Sequence, residues 1–425
     1  MSLKKGNLNW FMVAGIGVSI VIAGQFSGWN FGLEYGWSNM FIAFALMFLF
    51  YMGLTQCLAE MSSTWPSAGG QSSFVRRAFG DLPGLCIGVT LALTMMACTG
   101  LIASFIVAYA GSLLSVNETL IKLILFIFVV ILSVRGAKDL VYVTLAVGII
   151  AVLTLVIFSA GVAPQFKLEN LELSQLPIST AGIVGAIPFA LWLFVGIEHT
   201  VTCSEETKTP SRDIPVGLTI GVLVLAITSV FILFAASGAV GTHNLFTTLD
   251  PLSIAISDDN VLLKNIVVFG VLIGLLASFF SAVYAASRQL FDVSREGVAP
   301  VVLSKIDKNG TPFYAILTVT SAGFCLSLLD PEQVMMGVVV MFTFTYILTS
   351  AAFIHLRRTR RHVERSYSAV GGIYLGYIML ISSIILFVVS FKFSLMVLAP
   401  VGAIAICMLY KYIHDRQVTS RTVKS

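Results

Sequence analysis

Residues 15–36 read GIGVSIVIAGQFSGWNFGLEYG, an apolar run with glycine at 15, 17, 24, 28, 32 and 36. Extended back to Trp10, the run is long enough to cross a bilayer, which takes about 20 mostly apolar residues. Glycine weakens a helix interior, so this density marks either close helix packing or a place where winding is lost. Residues 181–200, AGIVGAIPFALWLFVGIEHT, repeat the signal with Gly182, Gly185, Pro188 and Gly196. The two stretches belong to the first and sixth apolar spans, equivalent places in two halves of five helices, where paired interruptions point to a transport site. Unwinding there frees amide and carbonyl groups that lipid leaves unsatisfied and a polar solute can satisfy.

The rest of the chain supplies the membrane setting. Of its 425 residues 57% are hydrophobic and 11% charged, far from the balance of a water-soluble domain. Apolar runs bounded by charge, Pro, Gly and Asn predict twelve spans, at 10–35, 40–59, 85–114, 120–134, 140–162, 180–203, 214–240, 261–291, 313–329, 334–356, 370–390 and 393–412. With the amino terminus cytoplasmic, all but four of the 25 Lys and Arg fall on that side, the exceptions being Lys122, Lys167, Lys264 and Lys392. An error of one span would scramble this alternation, so the bias supports both count and orientation, with both termini cytoplasmic. Residues 1–9 form a short cytoplasmic lead and 413–425 a polar tail. The first apolar stretch shows no cleavage site and is expected to remain in the mature chain. The loop at 241–260 is long enough for a short surface helix.

Few residues suggest other chemistry. Cys57, Cys86, Cys98, Cys203, Cys325 and Cys407 are scattered, with no Cys-x-x-Cys pair, and read as packing residues. There is no phosphate-binding loop, His-Glu-x-x-His helix or Gly-x-Ser-x-Gly elbow, so no enzymatic role, cofactor or nucleic-acid partner is expected. Glu198 is the carboxylate that falls well inside an apolar span. An ionisable group there is a functional candidate: either a proton exchanger or a hydrogen-bonded brace for the interrupted helix. On the cytoplasmic side Arg76 and Arg77 face a second charged stretch with Glu205, Glu206 and Arg212. These residues form either salt bridges latching an inner gate or surface charge that topology already demands.

Five strings carry a family resemblance: IAGQFSGWNFGL at 22–33, WPSAGG and FVRRAFG within 65–80, IPFALWLFVGIE at 187–198, EETKTPSRDIP at 205–215, and LIGLLASFFSAVYAASRQLFDVSREGVAP at 272–300. In this order the chain resembles the amino acid, polyamine and organocation permease superfamily, and within it the bacterial ethanolamine permeases. The resemblance implies an all-α integral membrane protein of the bacterial inner membrane with a LeuT-like fold. Ten core helices would form two inverted repeats, 10–162 and 180–356, with discontinuous helices 1 and 6 and two peripheral helices within 370–412. It implies a solute held by backbone at Ala23, Gly24 and Gln25 and at Phe194, Val195 and Gly196, closed from outside by Trp192. It makes Glu198 the proton-coupling carboxylate. Ethanolamine permeases carry Glu where Gln25 stands, and a neutral amide can bond a hydroxyl, a carboxylate or an amine. Ser278 and Ser281 could offer oxygens to a sodium ion in place of a proton. The leading expectation is a secondary transporter importing a small amine-bearing solute, ethanolamine first. An amino acid permease or exchanger and a non-transporting nutrient sensor are the alternatives.

Overall fold

The computed structural model describes residues 8–112, 117–135, 140–173, 177–295, 297, 299–307 and 311–391, with 402, 405 and 408 singly. The described chain is almost wholly helical. Its α-helices are α1 (Trp10–Phe26), α2 (Trp37–Thr64), α3 (Gly70–Phe79), α4 (Asp81–Gly111), α5 (Glu118–Arg135), α6 (Leu140–Val162), α7 (Thr180–Trp192), α8 (Pro210–Val240), α9 (Pro251–Ile254), α10 (Val261–Arg295), α11 (Phe313–Leu326), α12 (Pro331–Thr359) and α13 (Gly372–Ser390). Among the described residues eight helices are long and apolar enough to cross a membrane. They become nine when Trp10–Phe26 and Trp29–Tyr35, bent by 48°, are taken as one span. The predicted spans at 120–134 and 313–329 fall on α5 and on the shorter apolar α11, whereas 393–412 lies outside the described residues.

Local sequence explains where these helices start. Asn9 accepts the Met12 amide at 3.0 Å to cap α1, and Ser179 and Asp330 do the same for Gly182 and Gln333 at the heads of α7 and α12. Each cap satisfies an amide that the first turn leaves without a partner. Side chains then sort by environment. α5 turns Ile124, Ile127, Phe128 and Ile131 outward and α6 does so with Leu153, Val156 and Ile157, as lipid-facing helices must. α4 buries most of its length against α10, α11 and α12.

The two interrupted spans lie next to each other in this bundle. α1 packs on α6, α8 and α10, and also on the 3-10 segment Ile197–Glu206 that continues α7. The head of α1 and the tail of that 3-10 segment are tied as well. Leu8 and Thr207 form a parallel bridge, with the Leu8 amide bonded to the Glu206 carbonyl at 3.1 Å and the Lys208 amide to the Leu8 carbonyl at 2.9 Å.

Candidate solute-binding site

The first interruption falls later than the sequence suggests. α1 stays helical through Ala23, Gly24, Gln25 and Phe26, and winding is lost at Ser27 and Gly28, the latter at φ 96°. Three carbonyls around that break are claimed by aromatic donors. Trp29 Nε1 bonds the Gln25 carbonyl at 3.1 Å, the Tyr109 hydroxyl bonds that of Phe26 at 2.7 Å, and Trp192 Nε1 bonds that of Ser27 at 2.9 Å. The same Tyr109 hydroxyl accepts the Leu252 amide, while Ser27 and Asn30 donate to carbonyls of Leu249, Leu245 and Thr248. The loop that holds α9 is thereby stitched across the C-terminal part of the first span.

Gln25 turns away from any solute. Its buried amide nitrogen bonds the Leu193 carbonyl at 3.0 Å and Ser229 at 2.9 Å, and its oxygen accepts from Thr228 at 3.3 Å. It therefore braces α1 against α8 and the second interruption. Position along a helix fixed its depth, but tertiary packing fixed its direction.

The second interruption comprises the turn at 193–196 between α7 and the 3-10 segment Ile197–Glu206, with Gly196 at φ 107°. That conformation suits glycine alone without strain. Just ahead of the two interruptions the backbones of α1 and α7 meet directly: a methyl on Gly24 would stand 2.7 Å from the Trp192 carbonyl oxygen. The Phe194 ring packs on Phe44 and Tyr51 at separations of 5.8 and 5.3 Å, which leaves only its backbone to the role expected of this stretch.

Glu198 is buried just beyond this turn. One carboxyl oxygen accepts the Tyr346 hydroxyl at 2.5 Å and the other the Gly196 amide at 3.0 Å; the Tyr51 hydroxyl lies 2.8 Å behind that of Tyr346. These partners are neutral, so a proton can come or go without breaking an ion pair.

A cavity of about 580 Å³ runs from the interruptions to the helix ends. Its inner wall carries Ala23, Gly24, Trp192, Val195 and Gly196, with Met95, Cys98 and Ile102 opposite from α4. Among the proposed gate residues, Arg76 and Glu206 line the far end. Arg77 lies over the Trp65 ring, Glu205 accepts the Ala68 amide at 2.9 Å, and Arg212 is exposed. Ser278 and Ser281 also line the wall, the Ser278 hydroxyl donating to the Ser19 carbonyl at 3.2 Å.

Several polar residues at the core escaped sequence reasoning. Tyr51, Tyr109 and Tyr346 read as ordinary apolar-span aromatics, and Asn30 as a boundary residue. Glu60 is more telling. Buried at the end of α2, it accepts from Arg357 Nε at 2.8 Å and the Ala369 amide at 2.7 Å, and pairs with Arg365 Nε at 2.9 Å. The signal available was a carboxylate at the edge of an apolar run, matched by arginines about three hundred residues downstream.

Interrupted spans whose backbones meet beside a cavity, within a multi-pass helical membrane protein, define a membrane transporter rather than an enzyme. Comparison with known proteins narrows this class. The chain belongs to the amino acid permease family, whose profile matches residues 8–410. It is 27% identical to an uncharacterized transporter of Rhizobium meliloti over 71% of this chain and 68% of that protein. It is 24% identical to the branched-chain amino acid permease BcaP of Bacillus subtilis over 87% and 84% of the two chains. A chloroplastic cationic amino acid transporter of Arabidopsis thaliana, number 7, is 23% identical over 85% of this chain and 66% of its own.

Proposed function

We propose that the chain is a secondary transporter for a small neutral amino acid, working by alternating access and coupled to protons through Glu198. The observation that carries the substrate class is the charge distribution along the cavity. The wall beside Gly24 and Gly196 bears no charged side chain, whereas Arg76, Glu206, Arg288 and Asp292 line the other end. A monocation such as ethanolamine would find no carboxylate lining the inner wall, because Gln25 is neutral and turned toward α8 and Glu198 lies behind the Gly196 amide. A zwitterion with an uncharged side chain brings its own balance, and Met95, Cys98 and Ile102 suit an apolar side chain.

Proton coupling rests on Glu198, whose bond to the Gly196 amide joins its charge state to the cavity wall. The closed outer side, where Trp192 and Tyr109 hold the carbonyls of α1, supports an inward-facing state. The family's arrangement of two inverted repeats, with both termini cytoplasmic in a plasma membrane, completes the reading. Ethanolamine remains the second reading on the strength of the motifs at 22–33 and 187–198. Counterflow of labelled leucine, alanine and ethanolamine in proteoliposomes tests the choice. Leucine or alanine should exchange, with ethanolamine a poor competitor; exchange of ethanolamine alone would reverse the assignment, and binding without exchange would support a sensor.

A further inference from the structure

The far end of the cavity carries charges of both signs. Arg288, near the end of α10, and Glu206, the last residue of the 3-10 segment, line the same cavity. Neither has an ion-pair partner among the described residues. The Arg288 guanidinium stands 4.0 Å from the centre of the Tyr284 ring, which lines the same cavity. Gln289, next to Arg288 on this wall, has a buried side-chain oxygen without a partner among the described residues.

Opposite charges from two different elements, lining one cavity and short of a salt bridge with each other, match a molecule that carries both signs. A guanidinium takes a carboxylate in bidentate fashion, and a carboxylate takes an ammonium by charge-assisted hydrogen bonds. The inner wall offers main-chain dipoles and no side-chain charge, so the two ends of one cavity suit the same solute by different means. Tyr284 holds the guanidinium plane by stacking, which leaves its edge open for the carboxylate.

We propose that Arg288 and Glu206 form a second, mouth-side site for the zwitterionic head of an amino acid, distinct from the contact at the two interruptions. The solute's carboxylate meets Arg288 and its ammonium meets Glu206 on the way between the water and the inner wall. This goes beyond the proposed function, but it rests on that reading in taking an amino acid as the solute.

The test uses full-length protein in oriented proteoliposomes, with leucine and its amino alcohol leucinol as probes and transport measured from each side. Arg288→Gln should raise the half-saturating leucine concentration on the mouth side by about tenfold, the loss of one charge-assisted bond, and leave that for leucinol unmoved. Glu206→Gln should raise both, since both probes carry the ammonium. An equal change on the two sides of the membrane, or a fall in maximal rate with no change in half-saturation, would identify these residues as a latch and overturn the proposal. An equal effect of Arg288→Gln on leucine and leucinol would overturn it too. A wild-type protein that transports no amino acid would remove the proposed function and this site together, whereas the preceding outcomes remove the site alone. Because both positions flank the aqueous mouth, gel filtration of each variant serves as the check on folding.

Discussion

Two buried carboxylates, Glu60 and Glu198, lie in equally apolar surroundings and have opposite company. Glu60, at the end of α2, is held by two guanidiniums, those of Arg357 and Arg365, and by the Ala369 amide. Glu198, at the second interruption, has the Tyr346 hydroxyl and the Gly196 amide and no cation among the described residues. Burial makes both costly; partners decide what each can do. A carboxylate clasped by two arginines and a backbone amide straps the stretch after α12 onto α2. For one held by neutral donors a change of protonation breaks no ion pair, which is the ground for the coupling role proposed for Glu198. Depth in the membrane is therefore a weak guide to proton coupling, and the identity of the hydrogen-bond donors a strong one.

The contrast can be broken at either end. Glu60→Gln leaves two part-buried guanidiniums without their counter-charge, and should cost roughly 3–5 kcal/mol of stability, visible as a large fall in melting temperature. A variant of wild-type stability that instead lost its pH response would exchange the roles assigned here. Next in size, Gly24→Ala drives a methyl against the Trp192 carbonyl, where the nearest atom is backbone and gives way poorly. It should cost about 1–3 kcal/mol and abolish solute binding, measured by equilibrium binding on purified protein. Unchanged affinity would place the solute elsewhere.

Glu198→Gln keeps the shape of the side chain and should leave the melting temperature nearly unchanged while flattening the pH dependence of uptake. A wild-type profile in that variant would end the proton role. The smallest effect sharpens the picture. Tyr346→Phe removes one donor that favours the carboxylate form, so the pH profile should move to the alkaline side by about one unit. An unmoved profile would make the Tyr346 contact purely structural.

Glu198 was legible in the sequence because an acid within an apolar run advertises its cost. Glu60 was not, because it closes its run and its partners arrive only through tertiary folding. The interruptions themselves could be read from Gly28, Pro188 and Gly196, yet the first lies at Ser27 and Gly28 rather than at 23–25. Helical hydrogen bonding persists through Phe26, and the positive φ is reached only at Gly28. Apolar length located the spans to within a few residues, as for 334–356 against Pro331–Thr359. Side-chain direction lay beyond it. The expectation at Gln25 and Phe194 concerned their backbone; their side chains are engaged by α8 and α2, which position alone could not tell. Gate residues read from charge alone divided likewise: Arg76 and Glu206 face the cavity, and Arg77, Glu205 and Arg212 do not line it.

The central claim is that the solute occupies the cavity at the meeting of the two interruptions, beside Cys98. It is tested most directly in a protein whose Cys57, Cys86, Cys203, Cys325 and Cys407 are replaced by serine. The rate at which an impermeant maleimide alkylates Cys98 is then measured with and without saturating leucine or alanine. The account predicts labelling from the side where Arg76 and Glu206 line the mouth, slowed severalfold by the transported amino acid. Labelling at the same rate with and without a solute that the same vesicles exchange would contradict it.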